Sequence, residues 1–176
     1  MGHGVVRMRY GVILAAIVAA GGARADPSGA WFGDDIALGW AGVFCAPRVV
    51  SVIAAPETET GTVSQTEMPQ RKWSQHQVPA QIGLAFGVLA TTHRDISGVV
   101  LRATHPGRAP EERWTRDYVA GELGGASFSF EYPEELRLGT WTFEGWDGDR
   151  LLFRASFEVV PPDSLPDILQ ECQAVS

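Results

Sequence analysis

The chain has 176 residues with 14 basic and 21 acidic side chains, giving a formal charge of −7 at neutral pH. A surface that acidic repels phosphate backbones, which argues against nucleic acid as a partner, and it disfavours anionic membrane surfaces on the same grounds. The length suits one domain around one core.

The N-terminus reads as a cleavable signal peptide over residues 1–25. Arg7 and Arg9 are its positive region, Val12 to Ala20 (VILAAIVAA) its apolar stretch, and Ala23-Arg24-Ala25 its small-residue cut site. A membrane-spanning helix needs about 20 apolar residues, roughly twice this run. No cysteine stands at the cut, so a lipid anchor is not expected. Loss of Arg7, Arg9 and Arg24 would take the net charge from −7 to −10 over residues 26–176. The acidity then reads as a means of staying soluble.

Beyond the leader the apolar runs are short, and Gly and Pro punctuate them. Ile36 to Phe44 reads as a first strand, and Val49 to Ala54 as a second or as a bulged continuation. Thr60 to Gln65 is a weak strand. Over Ile82 to Ala90, Ile82, Leu84, Phe86 and Val88 alternate with Gly83, Ala85 and Gly87. Large residues on one face and small ones on the other fit a strand packed closely on both sides. Gly98 to Thr104 follows, then a turn at His105-Pro106-Gly107. Arg108 to Gly121 is polar and reads as a loop with room for a short helix over one end of the sheets. Ser127 to Tyr132 alternates again.

Thr140 to Trp146 and Leu151 to Val160 form a last hairpin, stopped by Pro161-Pro162. On its first strand Trp141 and Phe143 are the apolar face. On the second, Leu151, Phe153, Ala155, Phe157 and Val159 are. Directly paired residues share a face, so odd must meet odd. A three-residue loop, 147–149, does this by setting Trp146 opposite Arg150, Phe143 opposite Phe153 and Trp141 opposite Ala155. A five-residue loop keeps the same parity, and a bulge would rescue a two-residue turn. Gly148 or Asp149 is expected at positive φ. Leu165 to Gln173 reads as a short helix, because Leu165, Ile168, Leu169 and Cys172 fall on one face.

Seven or eight short strands with little helix predict a mainly β chain: one immunoglobulin-like β-sandwich over residues 26–176 with a short C-terminal helix. An open barrel is the competing architecture. Two cysteines, Cys45 and Cys172, in an exported chain argue for a disulfide, with two buried free thiols as the alternative. Such a bridge would pin the C-terminus to the first strand.

Residues that carry chemistry are sparse. His76, His93 and His105 have no metal-ligand spacing, so no metal and no cofactor is expected. His93-Arg94-Asp95 reads as a turn. The acid pairs Glu111-Glu112 and Glu134-Glu135 read as solvated loop acids, although a glycosidase would need two carboxylates across a cleft. Tryptophan is in excess, with six residues. Trp40 and Trp141 sit inside apolar runs and belong to the core. Trp31, Trp73 and Trp114 lie among polar residues and are better placed for exposure, and Trp146 borders the hairpin turn. Aromatic rings stack on sugars and anchor protein interfaces. His105, Trp114 and Trp146 are therefore the expected ligand face.

The segments Gly42-Val-Phe-Cys-Ala-Pro47, Val78-Pro79-Ala80 with Gly83 to Gly87, His105-Pro106-Gly107, and Phe130-Glu-Tyr-Pro-Glu-Glu-Leu136 resemble a family of exported bacterial proteins, domain of unknown function 3859. The pattern from Gly139 to Val159 is similar to the final hairpin of bacterial immunoglobulin-like domains. The resemblance spans about residues 42 to 162. It implies a compact β domain in an exported setting, and no chemistry. The expectation is a periplasmic or secreted, non-enzymatic module that binds a protein or glycan partner and is not inserted in the membrane after leader cleavage. An envelope or secreted hydrolase is the alternative. A pocket joining His105, Trp114 and an acid would favour the enzyme.

Overall fold

The computed structural model describes residues 29–173 apart from 71 and 108–110. The expected signal peptide lies outside the described residues.

Among the described residues eleven strands make three sheets, antiparallel except for one parallel pairing. In chain order they are β1 (Ala30–Phe32), β2 (Ile36–Cys45), β3 (Val49–Ala54), β4 (Thr62–Thr66), β5 (Gln77–Pro79), β6 (Leu84–Thr92), β7 (Ile96–Thr104), β8 (Glu112–Tyr118), β9 (Gly124–Ser129), β10 (Gly139–Asp147) and β11 (Arg150–Val160). The larger sheet runs β1-β11-β10-β7-β8, and β5 adds to β11 in parallel. The smaller sheet is β2-β6-β9. β3 and β4 form a separate hairpin. The fold is thus mainly β, as the short alternating runs predicted, with two sheets closing on one core.

Phe86 shows how the two layers meet. It lies on β6, the central strand of the smaller sheet, and is fully buried. Across the interface its ring centroid lies 5.5 Å from Trp141, 5.7 Å from Phe143 and 5.3 Å from Phe157, all near edge-to-face. That geometry suits aromatic quadrupoles. Residues 84–90 are buried throughout, so β6 is covered on both faces, as its large-small alternation implied. Ile82 precedes the strand and is exposed.

The last hairpin corrects one expectation and keeps its logic. Asp147 pairs with Arg150, so the loop is the two-residue turn Gly148-Asp149, not a three-residue loop. Gly148 takes positive φ, +58°, in the first turn position, where such turns favour glycine. Parity is restored by a register shift beside Gly145 and Trp146, which leaves Leu152 as the extra residue. Phe143 then faces Ala155 and Trp141 faces Phe157. From Gly145↔Phe153 onward odd meets odd, two residues away from the expected register; on the turn side Trp146 meets Leu151, so Leu152 and not the expected Leu151 enters the core.

Three short or polar strands, β1, β5 and β8, were not visible as strands. The segment read as a loop and short helix contains β8, paired with β7 from Ile96↔Tyr118 to Ala103↔Glu112. The segment expected as a helix from Leu165 to Gln173 holds only the two turns of α1 (Pro166–Gln173), one residue shorter and too short to form a layer of the architecture. Ile168 from it is buried in the core. Cys172 is joined to Cys45 at the end of β2, with Cα atoms 5.3 Å apart.

Candidate functional site

His105 stands where β7 leaves the sheet, and it is almost wholly buried. Its ring stacks on Trp141 at 4.5 Å between centroids. Arg137 Nη1 lies 3.2 Å from Nδ1. A guanidinium can only donate, so Nδ1 accepts and the ring proton belongs on Nε2. Nε2 then donates to Glu112 Oε1 at 3.4 Å. The Pro106 carbonyl lies 3.3 Å from Nδ1, but that nitrogen is engaged by Arg137. Arg137 also donates to Glu59 Oε1 at 2.9 Å. This carboxylate keeps the Arg137 pKa above its ordinary value.

Glu59, His105 and Glu112 bring three ligand atoms within 4.8 Å of one another. Arg137 already bonds two members of that set. The guanidinium supplies the positive charge that a metal ion would bring, and displacing it would orphan a buried histidine nitrogen. The cluster is better explained as an anchor. Glu59 lies on the turn between β3 and β4, and its N–H donates to Glu112 Oε1. Arg113 N–H donates to the Glu57 carbonyl nearby. These bonds fasten the tip of the β3–β4 hairpin to the start of β8.

Further along, the hairpin and the body part company. A cleft of about 610 Å³ opens between the hairpin, β8 and β9. Trp114, Arg116, Leu89, Ile53 and Val63 line it. β3 is exposed along its whole length. Val50 and Val52 are 59% and 58% exposed, and Val49 and Ile53 about 40%. Met68 is 55% exposed as well, and so many exposed apolar side chains on one hairpin are unusual in a soluble monomer.

The three expected ligand-face residues do not converge. Trp114 pairs with Leu101, on the inward face of the larger sheet, and packs partly against the core. Trp146 pairs with Val100, one residue along, and so faces the opposite side. There Arg102 covers its ring at 4.9 Å and Glu144 accepts its indole N–H. His105 does not line the cleft. Trp31 is exposed, whereas Trp73 packs against the core despite its polar neighbours. The acid pairs divide by role: Glu111 binds Arg113, and Glu135 accepts the N–H groups of Glu131 and Tyr132. Arg94 of the His93 turn bridges Asp35 and Asp147. The exposed valines of β3 were missed as a surface. Their lack of alternation with polar residues was the available signal.

A family model, Domain of unknown function (DUF3859), matches residues 36–159. It is the family that the four quoted segments resemble. An immunoglobulin-like protein of known structure from Pseudomonas aeruginosa aligns at 20% identity with a TM-score of 0.48, covering 76% of this chain and 98% of that one. No functionally curated protein matches.

Proposed function

The chain belongs to the DUF3859 family, and from that premise we propose that it is an exported, non-enzymatic interaction module that docks a partner protein in the periplasm or outside the cell. The observation that carries this reading is the exposed apolar strand β3, which overhangs a cleft bordered by the open edges of both sheets. Export is supported by the signal-like leader and by the Cys45–Cys172 bridge, which suits an oxidising compartment. No described helix is long and apolar enough to cross a membrane.

The groups that a hydrolase would use have structural duties instead. His105 holds Arg137 and Glu112 in place, and its ring is stacked and buried. A protein is favoured over a glycan because the aliphatic side chains of β3 dominate the exposed surface, while the face of Trp146 is already covered by Arg102.

The test is site-specific photo-crosslinking in the exporting bacterium. A photoreactive residue replaces Val52 on the apolar strand, and a second variant carries it at Thr140, on the outer face of the larger sheet. The expected result is a discrete adduct from position 52 and none from position 140. Equal labelling from both positions, or none from position 52, overturns the reading.

A further inference from the structure

β8 ends the larger sheet, and its outer edge is open. Arg113 points its N–H outward to the Glu57 carbonyl. Main-chain groups alternate sides along a strand, so Thr115 presents its N–H and C=O on that same outer edge. No described residue bonds to them. Unpaired edges of this kind are templates for another strand.

The cleft beside this edge has a distinct chemistry. Trp114 and Arg116 are two residues apart on β8, so they share a face, and both line the cleft. Its acids are engaged: Glu67 pairs with Arg48, and Asp117 accepts the Gly98 N–H at 2.7 Å. Arg116 has no ion pair among the described residues and lies over the Tyr118 ring at 5.7 Å. The uncommitted charge in the cleft is therefore positive, within a chain that is acidic as a whole.

We propose that an extended segment of a partner protein enters this cleft as an added strand on β8. It hydrogen-bonds the main chain of Thr115 and sets an apolar side chain against Trp114. Two residues along, an Asp or Glu meets Arg116. The spacing follows from strand geometry, because i and i+2 of the added strand face the same side as Trp114 and Arg116. The hairpin tip is tied to the start of β8 and closes the cleft at that end, which favours a single extended segment over the sheet edge of a second copy. This inference deepens the docking reading above and rests on it.

The probe is a capped peptide, acetyl-Thr-Val-Leu-Thr-Glu-Val-Thr-amide, titrated into the oxidised protein by calorimetry. Thr115→Pro removes only an outward N–H and leaves the β7–β8 ladder whole, which an edge position tolerates. It should weaken binding about tenfold, the worth of roughly one hydrogen bond. Two further peptides, N-methylated on alternate residues, probe the wild-type protein without any mutation, and at least one of them should lose binding. Arg116→Glu should reverse the preference between the Glu peptide and its Lys counterpart. The proposal is overturned if the wild type does not bind the peptide, if both methylated peptides bind unchanged, or if Thr115→Pro acts only by dissociating a dimer. Crosslinks at position 52 that persist while these titrations stay silent would leave the docking reading standing and remove the added strand.

Discussion

Gly145 stands directly across from Phe153, and the Phe153 ring fills the space where a side chain at 145 would begin. A Cβ there would lie 2.4 Å from ring atom Cε1. Phe153 is fully buried in the hydrophobic core, so it has nowhere to retreat. The register shift that accommodates Leu152 starts at this same glycine. Gly145→Ala should therefore destabilise the fold by about 1–3 kcal/mol, the usual cost of overpacking. Urea denaturation should show a lower midpoint at an unchanged m-value. An unchanged midpoint would mean that the ring is free to shift.

The disulfide offers a second check. It closes a loop between residues 127 apart in sequence. In the chain-entropy model a loop of that length stabilises by about 4–5 kcal/mol. Reduction, or Cys172→Ser, should remove a large part of this and lower the unfolding midpoint. Free thiols should appear only after reductant is added. A midpoint that stays put while both thiols become titratable would show that packing of Leu165 and Ile168 holds the C-terminal turns to the core.

Much of the β architecture was legible because strand alternation is a local signal. β6 announced burial on both faces through Phe86 and Val88 on one side and Ala85 and Gly87 on the other. Parity in the last hairpin was legible beyond the bulge, where Trp141 and Phe143 share a face with Phe157 and Ala155. The loop length was not, because a two-residue turn with a bulge satisfies the same parity as a three-residue loop. β8 was illegible for a different reason. Its edge position exposes Arg113, Thr115 and Asp117, and its inward residues include Arg116, so no apolar period survives. β5 has three residues and is made by its partner β11, not by its own pattern. His105 was read as part of a ligand face, but it is buried away from the cleft; its partner Arg137, and Glu59 beyond it, come from distant segments that only the fold brings together.

That convergence can be tested. Arg137 links Glu59 on the hairpin turn to His105 at the end of β7. Glu59→Ala should loosen the turn from Pro56 to Gly61 and leave the core intact, because Arg137 stays on the buried His105. The Glu59 pair is partly exposed, so about 1 kcal/mol is expected after solvent screening. That corresponds to roughly fivefold faster amide exchange. It should appear at Gly61, whose N–H donates to the Thr58 carbonyl, and not at the amides of β10 and β11. Uniform acceleration across the chain would mean that the cluster supports the whole sandwich, not the hairpin alone.

Tyr118 gives a pH-dependent prediction with a definite sign. It is 3% exposed, and its hydroxyl has no hydrogen-bond partner among the described residues. Burial raises its pKa from 10.0 to about 12, against a smaller lowering by the Arg116 charge. A raised folded-state pKa on an acid means that above pH 10 the unfolded chain loses this proton while the folded chain keeps it. The unfolded state then binds fewer protons, so stability must fall as pH rises. The window is set by the two values: stability is fully present below about pH 10 and is lost progressively towards about pH 12. Two units of difference bound the loss at roughly 2.7 kcal/mol. Tyr118→Phe removes both the ionisable group and an unsatisfied buried hydroxyl. It should flatten that part of the alkaline decline and, at neutral pH, leave stability unchanged or raise it by about 1 kcal/mol. Guanidinium unfolding of both proteins at neutral pH and across the alkaline window measures each effect. Identical alkaline profiles would show that the Tyr118 hydroxyl reaches water in the folded protein and is not held in the core.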